Sequence, residues 1–257
     1  MTKTILTAVA AILAVSSFAI DLDAYNKEMY SLTSARNYSQ VRKLYENIEN
    51  LSAAEMKPEK LFWIVLNQIN ARRELGETQE NLLAWVQTET SRLGYSEDMT
   101  RATTFYAKYS HLGWAGAKEE ADKLTEDQRR GSHTAIWMSH IYSVRGTSVD
   151  ELKRAIEYAL IGCQSHQAYF AANRLKNTAI ALDTANRVMD RKLITVAKPQ
   201  QALNFVTMCT RDVSEADAPA VKTFLQRANR TWSLFLLQDA EAWKPVITLI
   251  RTALEAY

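Results

Sequence analysis

Apolar residues recur at three- and four-residue steps from Leu22 onward, which is the period of one face of an α-helix. The densest stretch runs from Leu61 to Ile69, with Pro58 before it as a helix start and Gly76 after it as a stop. The pattern predicts helices over 22–34, 38–51, 58–74, 79–93, 97–111, 114–124, 127–144, 148–162, 165–179, 182–194, 199–211, 215–228 and 231 to the end, with Pro245 as a potential break. Because the gaps are short, neighbouring helices are expected to be antiparallel.

Composition supports an all-α chain. Only 7 Gly and 4 Pro are present among 257 residues, too few for the turns of a sandwich, a barrel or a doubly wound sheet. The hydrophobic fraction of 47% and the charged fraction of 23% are ordinary for a globular protein. A net charge of +2 provides no basic field for phosphates, so nucleic acid is not an expected partner.

A spacing of small and aromatic residues returns along the chain. Two residues separate Tyr38 from Val41, and three separate Val41 from Tyr45. The same spacing returns at Trp114, Ala117 and Ala121. Weaker copies lie at Asn81 and Trp85, Ala155 and Ala159, Ala185 and Met189, and Ala220 and Phe224. The anchor positions 41, 81, 117, 155, 185 and 220 are 40, 36, 38, 30 and 35 residues apart. Such a period is typical of stacked helix pairs.

This pattern resembles the tetratricopeptide repeat over about residues 22–228. The resemblance implies an all-α fold of antiparallel helix pairs stacked as a TPR-like α-solenoid, with 20–257 as one helical-repeat domain of about six pairs. Most first helices depart from the family pattern, because they lack its aromatic, Leu-Gly and Tyr set, and the closing Pro is usually missing. The alternative is an irregular helical bundle whose alanines imitate a repeat.

The first nineteen residues have the three parts of a secretory signal peptide. Lys3 gives a basic start, an apolar run follows from Ile5 to Val15, and Ser17 and Ala19 supply small side chains at the cleavage positions. A membrane anchor is the rival interpretation, but a span needs roughly 20 apolar residues. We therefore expect a signal peptide over 1–19, an exported protein in the periplasm or secreted, and no membrane span in the mature chain.

The residues that commonly carry chemistry form no known motif. The four histidines are His111, His133, His140 and His166, without HExxH or CxxC spacing, and no G-x-S-x-G elbow is present. We predict no catalytic, metal or cofactor site; the alternative is an exported all-helical hydrolase with a histidine-containing site. Cys163 and Cys209 have apolar neighbours that favour buried thiols, and a disulfide between them stays open.

These observations favour a non-catalytic interaction module with a protein or peptide partner. In a right-handed array the first helix of each pair lines the inner surface, which points to 58–74, 97–111 and 127–144. Long polar or aromatic side chains off the core face of these helices are the predicted partner-binding residues: Asn67, Asn70, Arg101, Tyr106 and His140. Most tryptophans are expected in the core, and any that project from inner helices would anchor a peptide.

The signal peptide gives a direct prediction about processing. The mature amino terminus is expected to be Ile20, because cleavage follows Ala19. Mass spectrometry of the protein exported by its native host measures this terminus. An intact Met1 or Thr2 terminus in that fraction would refute the cleavage.

Overall fold

A computed structural model describes residues 21–51 and 55–257. The structure is 76% helical, and the described residues contain fourteen α-helices and no strand. The chain divides into two compact units, Met1–Gly94 and Tyr95–Tyr257. The predicted signal peptide and its cleavage position lie outside the described residues.

The described part of the first unit contains four helices: α1 (Leu22–Ser34), α2 (Tyr38–Glu49), α3 (Pro58–Glu74) and α4 (Gln79–Arg92). Their starts follow local rules. The Asp21 side chain accepts from backbone N–H groups at the start of α1, Pro58 occupies the first turn of α3, and the Thr78 hydroxyl caps α4. Helix α3 packs against α1, α2 and α4, so it is the central helix of this unit.

The second unit continues the series with ten α-helices. They are α5 (Glu97–Tyr109), α6 (Ala117–Asp122), α7 (Glu126–Arg129), α8 (Thr134–Arg145), α9 (Val149–Ile161), α10 (Ser165–Leu175), α11 (Thr178–Asp190), α12 (Pro199–Cys209), α13 (Ala218–Trp232) and α14 (Ala240–Ala256). Short 3₁₀ helices over Ser110–Leu112 and Ser233–Leu237 extend α5 and α13.

The helices of the second unit stack in two layers. Helices α5, α8, α10, α12 and α14 each contact the next in that order, and α9, α11 and α13 do the same in the second layer. Adjacent helices such as α8 and α9 pack against each other as hairpins. Paired helices that contact only near neighbours are the arrangement expected of a helical-repeat fold.

The predicted helix over 127–144 is wrong, since two helices, α7 and α8, occupy this stretch. The Asp98 carboxylate, from α5, accepts hydrogen bonds from the backbone N–H groups of His133 and Thr134 at 2.9 and 3.1 Å and so starts a new helix there. A Cβ on Gly131 would overlap the Asp98 carboxylate, so the glycine is required by this close approach.

Several other predicted boundaries also shift. The helices predicted over 114–124, 215–228 and 231 to the end lie at Ala117–Asp122, Ala218–Trp232 and Ala240–Ala256. Helix α10 ends at Leu175, because Lys176 adopts a left-handed conformation with φ +48°, and the Asn177 side chain then caps α11. The helix predicted over 182–194 therefore lies at Thr178–Asp190. Pro245 does not break the last helix, which continues from Ala240 to Ala256.

Small residues lie where the repeat pattern placed close helix contacts. Ala117, Ala121, Ala155 and Ala159 are fully buried. Two of the predicted anchors are wrong, because Asn81 and Ala220 are exposed while the neighbouring Leu82 and Val221 are buried.

The core of each unit is built from apolar faces of these helices. The largest fully buried side chains include Tyr45 and Phe62 in the first unit and Tyr158, Trp232 and Trp243 in the second. Amphipathic helices of this kind gain most of their stability from such burial. Across residues 21–51 and 55–257, no helix combines the length and apolar character that crossing a bilayer requires.

Ala117 tests the close packing of the second unit. We expect Ala117→Leu to lower the free energy of unfolding by about 1–3 kcal/mol, because the added methyl groups have no space at a fully buried position. Ala220→Leu, at an exposed helical position, is the matched control and should change it by less than about 0.5 kcal/mol. Urea unfolding followed by circular dichroism measures both, and equal effects would contradict the close contact.

Candidate functional site

His133 pairs with the Asp98 carboxylate. The His133 Nδ1 lies 3.2 Å from Asp98 Oδ2, and the Ser132 hydroxyl lies 3.2 Å from the same nitrogen. In a nucleophilic triad the serine and the acid bind opposite ring nitrogens, so that the ring can relay a proton. This arrangement therefore does not activate Ser132.

The Asp98 carboxylate has a structural role at the start of α8. Burial raises its pKa, but hydrogen bonds from the side chains and backbone N–H groups of His133 and Thr134 outweigh burial and hold that pKa well below the usual range. The carboxylate satisfies N–H groups that the first turn of a helix leaves without partners. It thus fixes the position of α8.

Tyr106 and His140, two of the predicted partner-binding residues, meet in one aromatic cluster. The ring of Trp137 stacks on Tyr106 at 5.0 Å between centroids and on Trp114 at 5.3 Å, and Trp114 contacts the His140 ring at 5.2 Å. Trp114 has φ +63°, an uncommon backbone conformation for a bulky residue. Trp114 and Trp137 are both buried, so the cluster joins α5 and α8 from inside.

His140 is half-buried at the edge of this cluster. Its Nδ1 lies 3.0 Å from Gln167 Nε2, which donates to it in the neutral tautomer that carries the proton on Nε2. The Gln167 Oε1 in turn accepts from the Ser143 hydroxyl at 2.7 Å. Burial, followed by the nearby His166, lowers the pKa of His140, so the neutral ring is favoured.

The described residues contain no group of three or more His, Cys, Asp and Glu side chains that could hold a metal ion. His111 and His166 are exposed, and His140 contacts an amide and aromatic rings. The two thiols are both free: Cys209 is buried, as expected, whereas Cys163 is exposed at the end of α9. Burial raises the pKa of the Cys209 thiol to about 12, so this cysteine is not a reactive thiolate.

The first unit presents an exposed aromatic surface on α1 and α3. Trp63 is 41% exposed and Tyr30 is 67% exposed, whereas the other five tryptophans are buried or half-buried. Lys60 forms an ion pair with Asp23, which places the first turns of α3 and α1 side by side. Since Tyr30 is seven residues after Asp23 and Asn67 is seven after Lys60, each lies two turns further along the same helix face.

Asn67 and Asn70 lie on α3, but neither side chain is fully free. Asn67 is only 8% exposed, and its Nδ2 donates to the Trp63 carbonyl oxygen at 3.0 Å. The expectation that Asn67 lies clear of the core is therefore wrong, because its short side chain bonds to its own helix. Asn70 is half-buried and accepts from Arg73 at 2.5 Å.

Arg101, the remaining predicted residue, forms an ion pair with Glu97 one turn earlier on α5. Of the five predicted residues, Asn67 and Asn70 belong to the first unit, and Arg101, Tyr106 and His140 belong to the second. Tyr30 was not among the predicted residues, because the helix 22–34 was not one of the helices expected to line the inner surface. The sequence feature that could have identified Tyr30 is an aromatic residue on the polar face of a short helix.

Comparison with known proteins adds no assignment, since no family model, curated protein or solved structure matches the chain.

The Asp98 cap gives a prediction about stability and pH. Asp98→Ala is expected to lower the free energy of unfolding at pH 7 by about 1–3 kcal/mol, because it leaves N–H groups at the start of α8 without an acceptor. Since the carboxyl pKa is lower in the folded state, this contribution is complete above about pH 4, the usual Asp range, and is lost progressively as the pH falls below it.

Urea unfolding at neutral pH and at about pH 3 measures both effects. Asp127→Ala, which removes an exposed acid from α7, is the control and is expected to change stability by less than about 0.5 kcal/mol. The role of the charged carboxylate would be contradicted if Asp98→Ala and the natural protein differed in free energy of unfolding as much in acid as at neutral pH.

Proposed function

We propose that the protein is an exported interaction module, a non-catalytic TPR-like helical-repeat scaffold that binds a protein or peptide. Export rests on the signal-peptide pattern over residues 1–19. The repeat interpretation is supported by the buried small residues and by the stacked helix pairs. The hydrolase alternative has less support, since Ser132 and Asp98 lie against the same nitrogen of His133.

The observation that carries this proposal is the exposure of Trp63. A tryptophan in water leaves a large apolar surface unburied, and tryptophan and tyrosine dominate the binding energy of protein interfaces. Trp63 contacts Phe62 edge to face at 5.3 Å, so one side of the ring is supported by the core while 41% of the residue stays in solvent. A rigid, half-supported ring loses little conformational entropy when a partner covers it.

The surroundings of Trp63 suit an extended segment of polypeptide. Tyr30 on α1 adds a second exposed ring, and the ion pair of Lys60 with Asp23 supplies both charges at one end of this face. Aromatic anchors bordered by polar groups are the general composition of such interfaces.

In the second unit, Arg101, Tyr106 and His140 stay predicted contacts of the partner. Because the rings of Tyr106 and His140 pack in the cluster with Trp114 and Trp137, removing them would also cost stability. Trp63 is therefore the better residue for separating binding from folding.

Binding by this face is tested with the mature protein as bait for its native exported fraction. We expect Trp63→Ala to reduce the amount of captured partner by about tenfold or more, because it removes the central aromatic anchor. The variant should keep its fold by circular dichroism, with a melting temperature lower by about several °C, because the part of the ring that packs on Phe62 is lost along with the exposed part.

Leu75→Ala is the matched control, because Leu75 is 43% exposed but lies past the end of α3. This change should leave capture unaffected. Unchanged capture by Trp63→Ala, or an equal loss with Leu75→Ala, would contradict binding through the Trp63 face. Tyr30→Ala provides a second exposed position on the same face and should weaken capture in the same direction.

A further inference from the structure

A cavity of about 220 Å³ lies in the second unit, where the turn between α10 and α11 meets the end of α12. Its floor is apolar and is formed by Ala172, Ala181 and Met208, all of them buried. Two of these three floor residues are alanines, which have small side chains. Its volume is below the roughly 300–1,000 Å³ of pockets for drug-sized ligands, so it suits a smaller molecule.

The rim of the cavity is charged. Lys176 follows the end of α10, and Arg211 and Asp212 follow α12. Lys176 and Asp212 have φ of +48° and +51°, conformations that non-glycine residues adopt rarely. Two cationic groups and one carboxylate therefore border the same small space.

These opposite charges do not neutralise one another. Within the part of the chain that the structure describes, Lys176, Arg211 and Asp212 form no ion pair, and Arg211 donates instead to the Asn173 amide oxygen at 3.4 Å. The cavity therefore has positive and negative side chains at its rim that do not pair with each other. Such a rim is complementary to a molecule that carries both charges.

We propose that this cavity binds a free α-amino acid with a short apolar side chain, as its zwitterion. The carboxylate would lie toward Lys176 and Arg211, the ammonium group toward Asp212, and the side chain on the floor at Met208. Asn177 contributes a donor, since its Oδ1 accepts from the Ile180 N–H at 3.0 Å while its Nδ2 stays available to a carboxylate. This site shares no residue with the Trp63 face, and its proposal does not depend on the proposed interaction function.

Three ligands of one shape test the assignment on the natural protein. L-valine has both charges, isovalerate has the same carbon skeleton without the ammonium group, and isobutylamine lacks the carboxylate. Titration calorimetry is expected to give a dissociation constant for L-valine below about 1 mM, a value within reach of a ligand this small. Each analogue should bind at least about tenfold more weakly, because it leaves one charged group of the rim without a partner.

Charge-removing variants then locate the site. Lys176→Gln and Asp212→Asn are each expected to weaken binding of L-valine by about five- to tenfold, the range for partly exposed charge-assisted hydrogen bonds. Lys192→Gln is the matched control, because Lys192 is also exposed and has φ +53° but does not line the cavity. Circular dichroism of each variant verifies that the fold is kept.

Three results would overturn the proposal. The first is no binding of L-valine up to about 10 mM, far weaker than a specific site of this kind. The second is equal binding of isovalerate, which would indicate a simple carboxylate site. The third is an equal loss of affinity in Lys192→Gln, which would place the effect outside the cavity. The ligand series uses the natural protein, so it decides the question even where a variant fails to fold.

Discussion

Arginine side chains that bind the carbonyl ends of earlier helices connect the second unit from one helix to the next. Arg145 donates to the Gly113 carbonyl at 2.9 Å, and Arg174 donates to those of Ser143 and Gly146 at 2.5 and 2.9 Å. The last turn of a helix leaves four carbonyl groups without internal partners and carries a partial negative charge, so a guanidinium group is a favourable cap. Each of these helix ends is therefore completed by a residue 28 to 32 positions later in the chain.

The second layer uses the same chemistry. Arg191 donates to the Leu160 carbonyl at 2.8 Å, and one turn earlier Arg187 forms two hydrogen bonds with Glu157 at 2.5 and 2.7 Å. Paired bonds of this kind fix direction as well as distance. Because Arg187 and Glu157 are partly exposed, their main effect is to set the spacing of α9 and α11 rather than to add much stability. The stack thus depends on contacts between near neighbours, an arrangement also found in helical-repeat folds.

Several polar side chains of the second unit have structural roles. Asp98 and His133 are engaged at the start of α8, and the Arg145 and Arg174 guanidinium groups cap helix ends. The described residues also include an exposed tryptophan, Trp63, in the first unit and charged side chains around a small cavity in the second. The two binding proposals rest on these features.

The sequence alone determined the helical class and several helix ends, because these depend on residues close together in the chain. The bounds of α1 and α3 match the prediction at both ends, where Asp21 and Pro58 give local start signals. Only the tertiary structure decided that a helix ends before Gly131 and begins again at Thr134, since the capping carboxylate comes from Asp98 on another helix. The exposure of Trp63 was decided in the same way, because a helical period identifies a face but not which neighbours cover it.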